Sequence, residues 1–197
     1  MSLGTRKEPA TPEPLLRAAG TPAARTVDPA EFRSLMATIP AGVSVITASG
    51  ADGRPRGMTC SSVCSVAVDP PTLLVCLREG SPTLAAVLER SRFAVNLLSD
   101  RARDVAALFA SGAPDRFDRV RWAGGPGVAG PHLVADAHAV ADCRITLTTR
   151  VGDHVVVFGE VVAVSRAGGS PRPLLYGMRR YWSLELCSEA EDAATRC

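Results

Sequence analysis

Hydrophobic and polar positions alternate over much of this chain with the period of two that is typical of β-strands. Strand patterns cover residues 42–48, 55–68, 72–77, 93–98, 141–150 and 154–164. Helical patterns are fewer and begin near Asp28, Ser81 and Asp100. Short strands joined by hairpin turns, with few helices, indicate a closed or nearly closed antiparallel β-barrel.

The three predicted helices have recognisable caps. Asp28 followed by Pro29 is typical of a helix start, and we expect one apolar face of this helix to pack on a core. That face consists of Phe32, Leu35, Met36 and Ile39. Ser81 and Pro82 predict a second helix that continues to about Arg90, and Asp100 predicts the cap of a third that continues to Phe109.

The pattern predicts one folded domain between two tails. Residues 1–26 are rich in Pro, Ala, Thr and Gly and predict a disordered N-terminal tail. The folded domain is expected over 27–187, with a loose C-terminal tail at 188–197. Residues 113–138 contain many Gly and Pro and predict a loop region within the domain.

Composition narrows the class of function. The net charge is only +2, with charges scattered along the chain, and 5% of residues are aromatic. Nucleic-acid binders need a basic stripe or stacking platforms, so we expect no nucleic-acid partner. No apolar run is long enough to span a membrane, and no signal peptide is evident. We therefore expect a cytoplasmic protein.

Cysteine and histidine usage gives no sign of a metal site. The six cysteines form no CxxC pair, and several lie in apolar runs, as in proteins of reducing compartments. The histidines are not spaced with cysteines as zinc ligands are. We expect His132 and His138 in the loop region to be solvated.

The stretch from Pro55 to Val63 is the most informative part of the sequence. It has the position of a strand start but little bulk, and it carries the hydroxyls of Thr59, Ser61 and Ser62. Gly57 would let another group approach the backbone closely. Two interpretations stay open from residue types alone: a surface on which a planar or phosphorylated ligand rests, or an edge strand that meets water.

A resemblance to a known family covers residues 32–184. Its fixed points, in order, are Ala41-Gly42-Val43, Gly57 to Ser62, Ser65-Val66 with Asp69-Pro70-Pro71, Phe93 to Leu98, Asp115-Arg116-Phe117 and Gly152-Asp153-His154. Together they resemble the flavin reductase family of the FMN-binding split barrel. Its members are the reductase partners of two-component flavin-dependent monooxygenases. Cys60 and Ala67 stand where that family commonly has Ala and Ser, which leaves the preferred flavin open.

The resemblance implies a mainly β, Greek-key split barrel with a few flanking helices, assembled as a homodimer. It also implies FAD or FMN as the flavin and NADH or NADPH as the hydride donor, with NADH favoured. The flavin ring and ribityl chain are expected to contact Arg56, Gly57, Met58, Thr59, Cys60, Ser61 and Ser62. The phosphate end is expected to contact Cys76, Leu77, Arg78, Ser81 and Thr83, and Phe109 is expected to add a further contact.

His154 is the residue that the resemblance places beside the nicotinamide, with Asp153 orienting its ring. Without the resemblance, a single histidine after a Gly-Asp turn favours a structural role. Tyr181 and Trp182 could cover the flavin or the dimer contact, or could pack in the core. Cys60 could be reactive beside the flavin or could fill space.

Three functions are compatible with these residues. The first is an NAD(P)H:flavin oxidoreductase that releases reduced flavin to a separate monooxygenase. The second is a reductase that keeps its flavin tightly bound and reduces another acceptor. The third is a flavin-binding protein without turnover, which would not need the Gly-Asp-His turn. A hydrolase triad is not favoured, because Ser61 and Ser62 have no histidine at a signature spacing.

Overall fold

A computed structural model describes residues 26–125 and 127–184. The chain has three helices in this part: α1 (Pro29–Ala37), α2 (Pro82–Arg90) and α3 (Arg103–Ser111). The strands are β1 (Ala41–Gly42), β2 (Ser44–Ser49), β3 (Pro55–Cys60), β4 (Cys64–Val68), β5 (Pro71–Arg78), β6 (Arg92–Leu98), β7 (Ala137–Val151), β8 (His154–Arg166), β9 (Leu174–Gly177) and β10 (Arg180–Ser183). Both predicted tails lie mainly outside the described residues, so the domain limits stay a prediction.

Seven strands form one antiparallel sheet in the order β3-β2-β6-β7-β8-β5-β4. The two edge strands, β3 and β4, are consecutive in the chain, so the connection from Cys60 to Cys64 must pass from one edge to the other. The sheet therefore curls into a nearly closed barrel. The predicted mainly β split barrel with a few helices is confirmed. A second sheet of β1, β9 and β10 lies beside it.

Strand β2 shows how the sequence positions the two cores. Ile46 and Ala48 face the barrel interior with Cys60, Leu77 and Val157. On the other face, Val45 packs in a second cluster with Phe109 and Leu133. Both faces of β2 are buried, and its two buried polar residues are hydrogen-bonded: the Ser44 hydroxyl donates to the Cys60 carbonyl and the Thr47 hydroxyl to the Pro131 carbonyl.

Three element predictions are wrong. The predicted long strand 55–68 breaks at residues 61–63, because the chain crosses the barrel seam there. The predicted strand 42–48 begins only at Ser44 in the main sheet, since Ala41 and Gly42 pair with β9 instead. Asp100 does not cap α3, whose N-cap is Ala102. Its carboxylate instead pairs with Arg172 at 2.8 Å.

The apolar face of α1 is not packed on a core within this chain. Asp28 caps the helix as predicted, and its Oδ1 accepts from the Ala30 N–H at 2.7 Å. Yet no residue of α1 is buried. Its apolar face is left exposed on one chain, which contradicts the predicted packing; the residues are Phe32, Leu35 and Met36, with Ile39 just beyond the helix.

The loop region 113–136 is held to the sheet by buried polar groups. Asn96 is fully buried, and its Nδ2 donates to the oxygens of Val45, Thr47 and Pro131, while its Oδ1 accepts from the Leu133 N–H at 2.8 Å. Asn96, the one polar residue among the buried positions of β6, thus supplies hydrogen-bond partners to loop backbone groups that have no strand neighbour.

The expectation that His132 and His138 are solvated is wrong. His132 Nε2 lies 3.0 Å from Asp142 Oδ1, and only 12% of its side chain is exposed. Asp142 also accepts from the Ala129 N–H at 2.7 Å. His138 Nδ1 lies 3.2 Å from the Leu98 carbonyl. Both rings therefore tie chain segments together rather than facing solvent.

No helix in the described part of the chain has the length and apolar character needed to cross a bilayer.

Candidate functional site

A groove follows the outer side of β3, where the strand has no neighbour in the sheet. Alternate N–H and C=O groups of an edge strand are left without strand partners and can meet a ligand. One part of the groove has a volume of about 330 Å³, and a continuation of about 230 Å³ shares Thr59 and Ala110 with it. We call both parts together the β3 groove. Its lining is Gly57, Met58, Thr59, Ser81, Pro82, Thr83, Phe109, Ala110, Gly112 and Arg116, continuing to Val43, Ser61, Tyr176 and Tyr181.

Gly57 forms the floor of this groove for a reason that differs from the predicted one. A Cβ at this position would lie 3.0 Å from Phe109 Cε1, 3.1 Å from Phe117 Cζ and 3.2 Å from the Ile46 carbonyl oxygen. The close approach to the backbone is therefore made by the protein's own aromatic rings. Phe109 and Phe117 meet edge to face with centroids 5.0 Å apart. They give the groove a rigid apolar base.

The three hydroxyl residues predicted to contact a ligand have different roles. The Thr59 hydroxyl donates to the Ala106 carbonyl at 2.6 Å, so it fixes α3 against β3 and keeps only acceptor capacity. The Ser62 hydroxyl donates to the Cys76 carbonyl at 3.2 Å and accepts from the Cys76 N–H at 3.1 Å. Ser61 is exposed, lines the groove and has no hydrogen-bond partner among the described residues. Ser61 is therefore the hydroxyl best placed to bind a ligand.

The N-terminus of α2 supplies a free backbone donor to the groove. Ser81 Oγ accepts from the Leu84 N–H at 3.2 Å, and Ser81 O accepts from the Ala85 N–H at 3.1 Å. Pro82 has no N–H. The Thr83 N–H is therefore the first backbone donor of the helix, and it has no acceptor among the described residues. Thr83 itself lines the groove. A helix N-terminus with a free amide favours an anion, which agrees with the predicted phosphate end.

Cys60, Cys76 and Leu77 lie on or behind the barrel wall and do not line the β3 groove, whereas Met58 does line it. Leu77 is fully buried in the barrel core, so only its backbone could contact a phosphate. Met58 packs against the same core. Burial raises the pKa of the Cys60 thiol, which opposes thiolate chemistry and favours the space-filling role.

Arg78, Asp153 and His154 come together at one end of the barrel. Arg78 is directly opposite His154 in the β5–β8 ladder. His154 Nδ1 lies 2.8 Å from Asp153 Oδ1, and 44% of the His154 side chain is exposed. The hydrogen bond from His154 is the main reason that the pKa of the Asp153 carboxyl is lowered. A turn from Arg78 to Ser81, in which the Ser81 N–H donates to the Arg78 carbonyl at 3.2 Å, connects these residues to the groove that Ser81 lines.

Tyr181 stands at the far end of the groove. Its ring lies 5.2 Å from that of Tyr176, and the Arg103 guanidinium carbon lies 5.7 Å from the Tyr181 ring centroid. Tyr181 also packs against the second core cluster, so it both lines the groove and packs on the core. Trp182 is half exposed, and its Nε1 donates to the Gly177 carbonyl at 2.9 Å.

Sequence reasoning missed Arg116. It lines the β3 groove and a neighbouring pocket that also contains Arg54 and Arg56. Its side chain donates to the Ala113 carbonyl at 3.2 Å. Desolvation and the charge of Arg56 lower the pKa of its guanidinium. The Asp115-Arg116-Phe117 motif was a signal for this residue, but nothing in the sequence showed that the loop folds back onto β3.

Known proteins resemble this chain over most of its described length. Residues 36–185 match the flavin reductase like domain. A flavin reductase (NADPH) from Lentzea aerocolonigenes is 49% identical over 161 residues, covering 81% of this chain and 93% of that protein. The reductase subunit HsaB of a flavin-dependent monooxygenase from Mycobacterium tuberculosis (strain ATCC 25618 / H37Rv) is 34% identical over 160 residues, covering 81% and 84%.

Solved structures show the same fold. The NADH:FAD oxidoreductase SgcE6 of Streptomyces globisporus C-1027, in complex with NAD and FAD fragments, superposes with a TM-score of 0.74. It is 30% identical, and the match covers 85% of this chain and 100% of that one. The family model spans most of the described residues, and the sequence relatives cover most of their own lengths. This chain therefore belongs to the flavin reductase family.

Proposed function

We propose that this protein is an NAD(P)H:flavin oxidoreductase that transfers a hydride from NAD(P)H, with NADH favoured, to FAD or FMN. It releases the reduced flavin to a partner monooxygenase. The observation that carries the proposal is the β3 groove: an unpaired strand edge and a free helix amide line it. The Arg78–Asp153–His154 turn lies one turn of chain away.

The residues of the groove fit a flavin. A planar ring needs a flat, partly apolar bed with hydrogen-bond donors at its rim, and the β3 edge over Phe109 with Ser61 provides both. The free Thr83 amide suits the first phosphate, and Arg116 lies where the groove continues beyond it. When bound, the flavin supplies the redox chemistry, because its ring accepts the hydride.

The protein's task is then to position the two rings and exclude water between them. Holding donor and acceptor in contact raises the effective concentration of the donor. Backbone N–H groups of β3 can stabilise negative charge that develops on the ring. In this proposal His154, held by Asp153, contacts the nicotinamide nucleotide, and its partial exposure supports this role because the donor can enter beside it.

The groove is an open channel on the surface of the barrel, which suits a flavin that enters and leaves. Relatives that serve monooxygenases as reductase subunits support the same partner for this chain. The relatives differ in their named donor, NADPH in one and NADH in another, so the NADH preference needs its own measurement.

We also propose that the protein is a homodimer. The sheet carries exposed apolar side chains on β4 and on the C-terminal part of β8, and β4 is an edge strand that is exposed along its whole length. An exposed apolar face beside an unpaired strand edge is typical of an interface. The residues are Val66 and Val68 of β4 with Val162 and Val164 of β8.

The proposed activity is tested by mixing protein, NADH and excess FAD or FMN under nitrogen. We expect the flavin absorbance in solution to bleach at a rate proportional to protein. If all flavin stays oxidised with both NADH and NADPH, the proposal is wrong. Purified protein that is yellow and turns over an acceptor without added flavin would instead support a tightly bound cofactor. Flavin binding without any turnover would support the non-catalytic alternative.

Replacing His154 by Ala tests its assigned contact. We expect the KM for NADH to rise severalfold, on the order of one lost hydrogen bond, while the KM for flavin changes less. The conservative change His138→Gln, at a histidine that only bonds the Leu98 carbonyl, serves as the control. A larger effect on flavin than on NADH would remove the assignment.

A further inference from the structure

The β3 groove does not end at the N-terminus of α2 but opens into a second pocket. This pocket has a volume of about 580 Å³ and shares Pro82, Gly112 and Arg116 with the groove. We call it the arginine pocket. It is lined by Arg54, Pro55, Arg56, Pro82, Gly112, Pro114, Arg116, Phe117 and Asp118.

The charges that face this pocket are mainly positive. Arg54, Arg56 and Arg116 stand against the single carboxylate of Asp118. Arg56 Nη2 pairs with Asp52 at 2.8 Å, but 47% of that Asp52 side chain is exposed, so the pair is a surface one. Arg116 has no carboxylate partner among the described residues. Burial, together with the nearby charge of Arg56, lowers the pKa of the Arg116 guanidinium, and an anion bound in the pocket would stabilise its charge.

The order of groups along the channel is informative. Ser61 and Tyr181 mark one end, where a ring can lie on the strand edge. The free Thr83 amide follows in the middle, and the arginine pocket lies beyond it. A ligand that fills the channel therefore has a ring, then a phosphate, then a further anionic and partly apolar portion. FMN ends at its phosphate, whereas FAD continues into a second phosphate, a ribose and adenine.

We propose that the arginine pocket binds the adenylate half of FAD, and that this protein therefore selects FAD over FMN. In this arrangement Arg116 lies at the boundary and contacts the diphosphate, and Arg56 contacts its distal part. The walls formed by Pro55, Pro82 and Pro114 accommodate the apolar faces of the nucleoside. The pocket volume lies within the range of about 300–1,000 Å³ that is usual for small-molecule sites. This inference rests on the proposed function and adds the identity of the flavin.

A diphosphate also occurs in the nicotinamide donor, so the same chemistry has a second possible source. The two sources are separated by measuring flavin binding without donor. Equilibrium dissociation constants of FAD, FMN and riboflavin are obtained from flavin fluorescence for the wild type and for Arg116→Gln, Arg56→Gln and Arg119→Gln. Arg119 is an exposed arginine of the same loop that does not line the pocket.

For the wild type we expect FAD to bind at least about tenfold more tightly than FMN. Arg116→Gln and Arg56→Gln should each weaken FAD binding about tenfold, as expected for one lost charge-assisted hydrogen bond, and leave riboflavin unchanged. Arg119→Gln should leave all three constants unchanged. Because the wild-type ratio needs no variant, the test holds even if one variant fails to fold.

Equal affinity of the wild type for FAD and FMN would overturn the inference. So would an Arg116→Gln variant that loses FMN and FAD affinity equally, because Arg116 would then contact only the first phosphate. A rise in the KM for NADPH with unchanged FAD binding would assign the pocket to the donor and also overturn it. None of these results would affect the proposed reductase activity, which fails only if no flavin is reduced.

Discussion

At the scale of single residues, Gly57 is the position with the least tolerance in the site. The two aromatic rings and the Ile46 carbonyl leave no room for a methyl group without displacement. The rings that fill this space are also the base of the β3 groove. Both the packing of these rings and the shape of the groove therefore require that residue 57 has no Cβ atom.

Replacing Gly57 by Ala is expected to lower the free energy of unfolding by about 1–3 kcal/mol, the usual cost of overpacking. Flavin affinity should fall with it, because Phe109 must move. Denaturant unfolding and flavin titration measure the two effects. Gly42→Ala is the matched control, since a Cβ there meets nothing within 4 Å. Equal stability of the two variants would contradict the packing argument.

Cys143 is expected to give the fold a pH dependence in alkali. Burial raises the pKa of its thiol to about 12 from 9.0, and the Asp142 carboxylate adds to the shift. The folded state therefore retains a proton that the unfolded state loses above pH 9. Stability from this group is complete below that pH and declines as pH rises towards 12.

Cys143→Ala should remove this decline, which is at most about 1.4 kcal/mol per pH unit for one proton. Denaturant unfolding between pH 8 and about 11 gives the free energy of unfolding of wild type and variant, and the decline appears as a difference in its slope against pH. Loss of the buried sulfur lowers stability by the same amount at every pH, so it does not affect this slope. Cys64→Ala, at an exposed cysteine, should keep the wild-type slope. Parallel curves for wild type and Cys143→Ala would show that the thiol does not titrate as argued.

At the scale of elements, the seam between β3 and β5 is closed by a side chain. Ser62 exchanges two hydrogen bonds with the backbone of Cys76, in the manner of a strand neighbour, at the point where the chain leaves β3 for β4. The adjacent Ser61 makes no such contact. Two consecutive serines thus have separate tasks, one in barrel closure and one in the groove.

Ser62→Ala should lower the free energy of unfolding by about 1 kcal/mol, since a hydrogen-bonding partner of the Cys76 backbone is removed. Ser61→Ala should leave stability unchanged and weaken flavin binding severalfold. Thermal or denaturant unfolding and flavin titration on both variants distinguish these roles. If the two serines exchange these phenotypes, the assignment of closure and binding is reversed.

At the scale of the whole molecule, the described part of one chain exposes apolar side chains on β4 and β8 of the sheet and on one side of α1. Val68 is 90% exposed, which is unusual for a β-branched residue in a strand. The proposed dimer gives the sheet face a partner.

Val68→Asp combined with Val164→Glu is expected to yield folded monomers, because two carboxylates would have to be buried at the contact. Sedimentation or light scattering measures mass, and circular dichroism checks folding. Val134→Glu, at an exposed loop position, should leave the dimer intact. A wild type that sediments as a monomer at micromolar concentration would exclude the proposed assembly.

The sequence by itself determined the class of fold and the family. Period-two alternation located most strands of the main sheet, because side-chain direction alternates regardless of context, but β9 and β10 were not among the predicted strands. Local chemistry also determined the caps at Asp28 and Ser81 and the turn at Gly152-Asp153, since these depend on neighbours in the chain.

Tertiary structure decided the features that depend on contacts between residues far apart in sequence. The break at residues 61–63 depends on the barrel closing, and the burial of His132 depends on Asp142, a residue in another element. Arg116 reaches the groove only because Asn96 and Asp142 hold the loop that follows it onto the sheet. Local patterns record propensity and period, whereas a site is made by contacts between residues far apart in sequence, and only the fold sets those contacts.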